Sequence, residues 1–246
     1  MKIIGVIPAR YKSTRFPGKP LAVIEGKPMI QHVYENASRS RLLNKVIVAT
    51  DDIRIFKVVK NFGGNVVMTS GKHKSGTDRI GEIAKFRISG IGKDGIIVNI
   101  QGDEPFIDHR NIDKTIKPLL EDKNLNVSTL CFRIRNKAEI YDPNIVKVVC
   151  DSNGFALYFS RNPIPFNRDN SKNTAYYKHI GLYVYRKSFL DKLVKLKPTR
   201  LELAEKLEQL RILESGERIK VLETNIDSHS VDTKEDLIRI NKQKSV

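Results

Sequence analysis

Cysteine is scarce in this chain. Cys131 and Cys150 are the only two in 246 residues, both lie in strand-like runs, and no C-x-x-C spacing occurs. A disulfide framework and a Cys-based zinc site are therefore excluded, and inert buried thiols in a reduced setting are expected. Long apolar runs are missing as well, and none approaches the roughly 20 residues of a membrane helix. No repeat, low-complexity tract or linker interrupts the chain. Its length suits one α/β domain, or one domain with a lobe. The Walker A pattern G-x-x-x-x-G-K-[ST] and the dinucleotide turn G-x-G-x-x-G are both absent, which removes those two phosphate-binding routes. His179 has no second His or Cys at ligand spacing, so it does not form a zinc site. Met1-Lys2 leads directly into a strand-like run, so a cytoplasmic protein without a signal peptide is expected. Acidic residues are outnumbered: 44 Lys+Arg against 28 Asp+Glu give a net charge of +16. That excess fits a polyanionic small substrate or plain solubility. It also raises nucleic-acid binding, but no basic-aromatic array or recognition helix supports it.

What is present centres on residues 3–21, IIGVIPARYKSTRFPGKPL. Ile3-Ile4-Gly5-Val6-Ile7 reads as a buried strand, which Pro8 ends because proline has no N–H for the ladder. A loop follows with Arg10, Lys12, Arg15 and Lys19, bent by Pro17, Gly18 and Pro20. α/β proteins place anion sites at the carboxyl ends of such strands, where side-chain cations and loop amides converge. A solvated basic loop is the plainer alternative. Four cations in ten residues, directly after the first buried strand, favour phosphate.

The remaining periodicity predicts a doubly wound, mostly parallel sheet. Helices are expected over 28–38, 53–62, 80–88, 109–121, 187–196, 201–213 and 234–242. Strands are expected over 45–50, 66–68, 95–101, 127–133, 146–150, 156–160, 180–185 and 219–222. Residues 162–174, with Pro163 and Pro165, read as a long loop. Ser75 or Thr77 is the expected cap of the third helix, and Asp232 or Thr233 that of the last.

Several side chains in this pattern carry chemistry. Asp103 follows a buried strand in a Gly-Asp-Glu-Pro turn, which aims a carboxylate into the crevice where a hard cation such as Mg²⁺ would sit. The alternative is a turn aspartate bonding its own backbone. Asp232 is a second such carboxylate, or else a helix cap. His179 is a hydrogen-bonding residue or a surface histidine. Arg161 is a bidentate carboxylate clamp or an ordinary surface arginine. Glu208 and Gln209 would ordinarily be solvated-face residues of the 201–213 helix.

Taken in order, IPARYKSTRFPGKPL, SGTDR, NIQGDEP, VKVV with ALYFSRNPIPF, KHIGLYVYR, AEKLEQLRILESG and VDTKEDL resemble the 3-deoxy-manno-octulosonate cytidylyltransferase (CMP-Kdo synthetase) family of the sugar nucleotidyltransferases. Each motif alone is weak, whereas the ordered set, from Ile3 to Leu237, is specific. The resemblance implies a Rossmann-like nucleotidyltransferase fold over residues 1–246, with a sugar-binding and dimerisation lobe over about residues 127–213. It implies transfer of CMP from CTP to Kdo, an acidic eight-carbon sugar, with release of diphosphate. It also implies Mg²⁺, a homodimer, no membrane partner and a place in lipopolysaccharide biosynthesis. Carried over by position, Arg10, Lys19, Asp103 and Asp232 form the catalytic set, and the two aspartates hold metal. Pro8, Ala9, Ser13 and Arg15 flank the triphosphate with Arg10 and Lys19. Ser75, Gly76, Thr77 and Arg79 form a second nucleotide-facing motif. Gln101 serves nucleotide and sugar, and Arg161, His179, Tyr183, Glu208 and Gln209 complete the sugar pocket. The chain departs from the family at Phe166-Asn167, where Trp-Asp is common, and at Asp78, where Glu is common. Those departures leave 8-amino-Kdo open as a substrate. A sialic acid cytidylyltransferase fits less well, because its I-P-A-R-x-G-S-K opening does not match Tyr11 to Arg15. A nucleic-acid binder and a non-catalytic nucleotide sensor are the rivals from other classes.

Overall fold

A computed structural model of the chain describes residues 1–12, 16–73, 75–86, 90–169, 171 and 173–243. Ser13 and Arg15, and the end of the helix expected over 80–88, lie outside the described residues. The chain divides into two compact units, Met1–Asp113 with Ser228–Val246, and Lys114–Asp227.

The first unit begins with β1 (Ile3–Ala9), a 3₁₀ turn (Lys19–Leu21) and a short hairpin, β2 (Val23–Ile24) and β3 (Lys27–Pro28). There follow α1 (Met29–Ala37), β4 (Lys45–Thr50), α2 (Ile53–Asn61), β5 (Val66–Met68), α3 (Gly76–Lys85), β6 (Ile96–Asn99) and α4 (His109–Glu121), whose last turns belong to the second unit. β1 is parallel to both β4 and β6, and β5 is parallel to β4. Strands buried on both faces read as unbroken apolar runs, and β1, β4 and β6 do so. The chain steps outward from β1 to β4 and β5, then returns to β6 on the other side of β1. That reversal is a topological switch point, where open α/β sheets bind ligands beyond the strand carboxyl ends.

The second unit holds β7 (Val127–Arg133), α5 (Lys137–Tyr141), β8 (Lys147–Cys150), β9 (Ala156–Ser160), β10 (Tyr177–Arg186), α6 (Lys187–Leu193), α7 (Arg200–Glu205), α8 (Gln209–Glu214) and β11 (Ile219–Thr224). β10 runs antiparallel to β7 and β8, β8 antiparallel to β9, and β11 parallel to β7. The chain then returns to the first unit as α9 (Lys234–Gln243). Val231 and Ile240 are buried there against Phe16, Ile24 and Met29. The mixed α/β class and its mostly parallel sheet flanked by helices agree with the sequence reading.

Two helices differ from expectation. α3 starts at Gly76 instead of residue 80, because Ser75 and Asp78 close a reciprocal capping box that satisfies two otherwise orphaned amides. The helix expected over 201–213 is two helices, broken where Lys206 takes a left-handed conformation with φ 55°. Glu208 and Gln209 therefore stand at the start of α8, and Gln209 is buried instead of solvated.

Candidate active site

Three separated motifs of the first unit meet at Pro8. A Cβ on Gly76 would lie 3.4 Å from the Pro8 ring, and one on Gly102 would lie 2.9 Å from the Pro8 carbonyl oxygen. At Gly102 the absence of a Cβ is what lets the QGDEP turn close on the end of β1, whereas a Cβ at Gly76 would make only ordinary contact with the Pro8 ring.

Lys19 lies at the start of the 3₁₀ turn beyond this loop. Its Nζ donates to Asp103 Oδ2 at 2.7 Å and to Asp232 Oδ1 at 3.2 Å. Asp232 is not the helix cap. Thr233 takes that role, its Oγ1 accepting from the Asp236 amide, while the Asp236 carboxylate receives the Asp232 and Thr233 amides. The Asp232 carboxylate is thereby left to face Lys19. Backbone stitching fixes the meeting of residues so distant in sequence. The Val231 amide donates to the Asp103 carbonyl at 2.9 Å, and Ser228 Oγ donates to the buried Glu104 carboxylate at 2.6 Å.

The other first-unit candidates differ in exposure and in partners. Ala9 and Thr77 are buried, whereas Arg10, Ser75, Gly76 and Gln101 keep some exposure. Gln101 Nε2 reaches Asn99 Oδ1 at 3.5 Å. Arg79 has no exposed surface; its guanidinium donates to Thr69 Oγ1 and pairs with Asp51 at 3.4 Å. Its Nε and Nη2 meet no hydrogen-bond geometry among the described residues. Burial lowers the Arg79 pKa, an effect that Asp51 opposes and Arg10 reinforces. On its own, Arg79 braces α3 against the segment after β5.

Two carboxylates already converging on one cation make an all-oxygen donor pair, which fits Mg²⁺. That cation is the Lys19 ammonium. No group of three or more His, Cys, Asp or Glu able to hold a metal occurs among the described residues. A metal held by two carboxylates must complete its shell with water and phosphate oxygens.

The second unit carries the remaining candidates. His179 and Tyr183 lie along β10, with ring centroids 5.2 Å apart, and Tyr183 stacks on Tyr185. His179 Nε2 is 3.0 Å from Thr129 Oγ1, which also lies 3.2 Å from the Ile180 carbonyl and 2.9 Å from the Leu182 carbonyl. When the Thr129 proton goes to either carbonyl, the imidazole Nε2 is the donor and Nδ1 the acceptor. Burial pushes the His179 pKa down to about 3, so the ring is neutral. The Tyr183 hydroxyl is buried and, although close to Thr129, meets no hydrogen-bond geometry among the described residues. Burial, with Tyr185 and Glu208 adding to it, holds its pKa well above the usual phenol value. A neutral imidazole beside an unsatisfied buried hydroxyl is suited to a polyhydroxylated ligand. The Arg161 guanidinium donates to three backbone carbonyls, Glu205 at 2.8 Å, Pro143 at 2.8 Å and Lys206 at 3.4 Å, which uses three of its five N–H donors.

The cytidylyltransferase family profile matches residues 4–219. The chain belongs to the cytidylyltransferase family. Among its relatives, the 3-deoxy-manno-octulosonate cytidylyltransferase of Geobacter sulfurreducens is 54% identical, covering 98% of each chain. That of Thermodesulfovibrio yellowstonii is 52% identical over 96% of each. The structure of CMP:2-keto-3-deoxy-manno-octonic acid synthetase complexed with CTP is similar at a TM-score of 0.92 and 43% identity, covering 100% of this chain and 99% of that one.

In this cytidylyltransferase the sequence reading overlooked Glu104 and Ser228, which hold the two aspartates in register, and Thr129, which orients His179. None of the three carries a local signal, because each acts through a partner at least 50 residues away. Lys147 was also overlooked, although a lysine inside the apolar VKVV strand was a visible anomaly.

Proposed function

We propose that the chain transfers CMP from CTP to Kdo, with Mg²⁺, giving CMP-Kdo and diphosphate for lipopolysaccharide synthesis. The observation that carries this reading is the Lys19–Asp103–Asp232 cluster at the switch point of the first unit. The names of the close relatives and the CTP complex of a similar enzyme support it.

In this reading the anomeric hydroxyl of the sugar attacks the α-phosphorus of CTP. One P–O bond forms as the α–β P–O bond breaks, and the hydroxyl proton leaves to water. Arg10 and Lys19 bind the triphosphate and offset the charge that accumulates on the departing diphosphate. Asp103 and Asp232 would hold Mg²⁺, which supplies Lewis-acid polarisation of phosphoryl oxygens. Ser75, Gly76 and Thr77 position the nucleotide beside Pro8 and Ala9. On the second unit Arg161 takes the sugar carboxylate, while His179, Tyr183, Glu208 and Gln209 take its hydroxyls. His179, with its pKa near 3, is too weak a base to remove a proton at neutral pH, so it binds and orients. A homodimer acting in the cytoplasm belongs to the same reading; no helix among the described residues is long and apolar enough to cross a membrane. The test is Asp103→Asn in a diphosphate-release assay. A loss in kcat on the order of 10²-fold or more is expected, and near-normal kcat would overturn the metal assignment.

A further inference from the structure

Lys147 has no exposed surface. A buried ammonium is costly unless its charge and all its donors are satisfied. Its Nζ donates to three backbone carbonyls, Asp142 at 2.9 Å, Ile145 at 2.7 Å and Arg161. A protonated lysine has three N–H donors and no more, so each has one partner. Burial lowers its pKa and the nearby Arg161 charge adds to that shift, while Asp142 and Glu205 oppose it.

The three carbonyls belong to two segments that also meet Arg161 itself. One is the 142–145 turn, which accepts the Arg161 guanidinium at Pro143. The other is the end of β9, where Glu205 accepts from Ser160 Oγ at 2.7 Å and from the Arg161 amide at 3.0 Å. Arg161 closes the ring by donating from Nε to the Glu205 carbonyl. Lys147, Arg161 and Glu205 thus tie together the 142–145 turn, the 160–162 segment and the end of α7. Glu208 and Gln209 follow that helix end within four residues.

We infer that Lys147 is a positioning residue for recognition of the acidic sugar: it sets the backbone of Arg161 so that the guanidinium's remaining N–H groups point in one direction. A bidentate arginine contact is sensitive to orientation in a way that a point charge is not. This inference rests on the reading that Arg161 holds the sugar carboxylate. A Lys147 whose role were only to hold the fold would change stability without changing which substrate suffers.

The test is steady-state kinetics of the full chain, with CTP and Kdo varied in turn. Lys147→Met keeps the length and removes the buried charge. It is expected to raise KM for Kdo on the order of tenfold, with KM for CTP within about twofold. Preference for Kdo over its carboxamide analogue should shrink in the same variant. Arg161→Gln is measured alongside. If Arg161→Gln leaves the Kdo KM unchanged, the sugar-site reading fails, and the inference with it. If Arg161→Gln raises that KM but Lys147→Met does not, the inference alone is overturned. Should Lys147→Met not fold, Glu205→Gln replaces it, and equal changes in the two KM values would refute the positioning role.

Discussion

Replacing Lys19 with Met should weaken the metal-free protein and make it respond to Mg²⁺. The lysine side chain is 13% exposed and its partners Asp103 and Asp232 are 29% and 32% exposed, so the cluster is only partly screened. A unit-charge pair about 4 Å apart at an effective dielectric of about 20 gains roughly 4 kcal/mol before desolvation. Charged hydrogen bonds retain a net worth of about 1.5–3 kcal/mol. Removing the ammonium also leaves two carboxylates facing one point with no cation between them. A loss of about 2 kcal/mol is therefore expected, or roughly 4–8 °C in Tm for a chain of this size. A divalent cation would take the vacated place, and binding to the folded state alone raises stability by mass action. Thermal unfolding with EDTA or with millimolar Mg²⁺ reads both effects. The variant should lose Tm in EDTA and recover most of it in Mg²⁺, whereas the parent, whose own lysine competes with the ion, should move little. A variant as stable as the parent in EDTA, or an equal Mg²⁺ response in both, would refute the reasoning.

Two further predictions concern one glycine and one histidine. Gly102→Ala would place a methyl 2.9 Å from the Pro8 carbonyl, so the turn carrying Asp103 must move; kcat/KM should fall by tenfold or more with little change in far-UV circular dichroism, and unchanged kinetics would contradict the close approach. His179, held neutral by burial with a pKa of about 3, favours the unfolded state as pH falls below its ordinary value of about 6.5. Its contribution is fully present above that pH and declines steadily below it, by about 2 kcal/mol at pH 5. Urea unfolding at pH 7.5 and 5 should show a steeper fall for the parent than for His179→Gln, and parallel falls would refute the burial argument.

Local patterns carried much of the fold. The strands at Lys45–Thr50, Val66–Met68, Val127–Arg133 and Ala156–Ser160 follow the expected bounds, because short runs rich in apolar, β-branched or aromatic residues between polar turns favour a strand. The break at Lys206 was hidden, since a left-handed lysine carries no glycine signal. For Asp232, local sequence allowed either a cap or a ligand. Only the choice of Thr233 as the cap, together with the return of the chain from Ser228 to Val231 beside Asp103, separates the two. The convergence of Lys19, Asp103 and Asp232 is a long-range fact that the spacing of residues could not supply.

The most direct measurement is diphosphate release by the purified chain with CTP, Mg²⁺ and Kdo, with UTP, ATP, 8-amino-Kdo and a sialic acid in parallel. Release with CTP and Kdo, and not with the other nucleotides or sugars, is the predicted result. Failure of every sugar to support release would contradict the central reading.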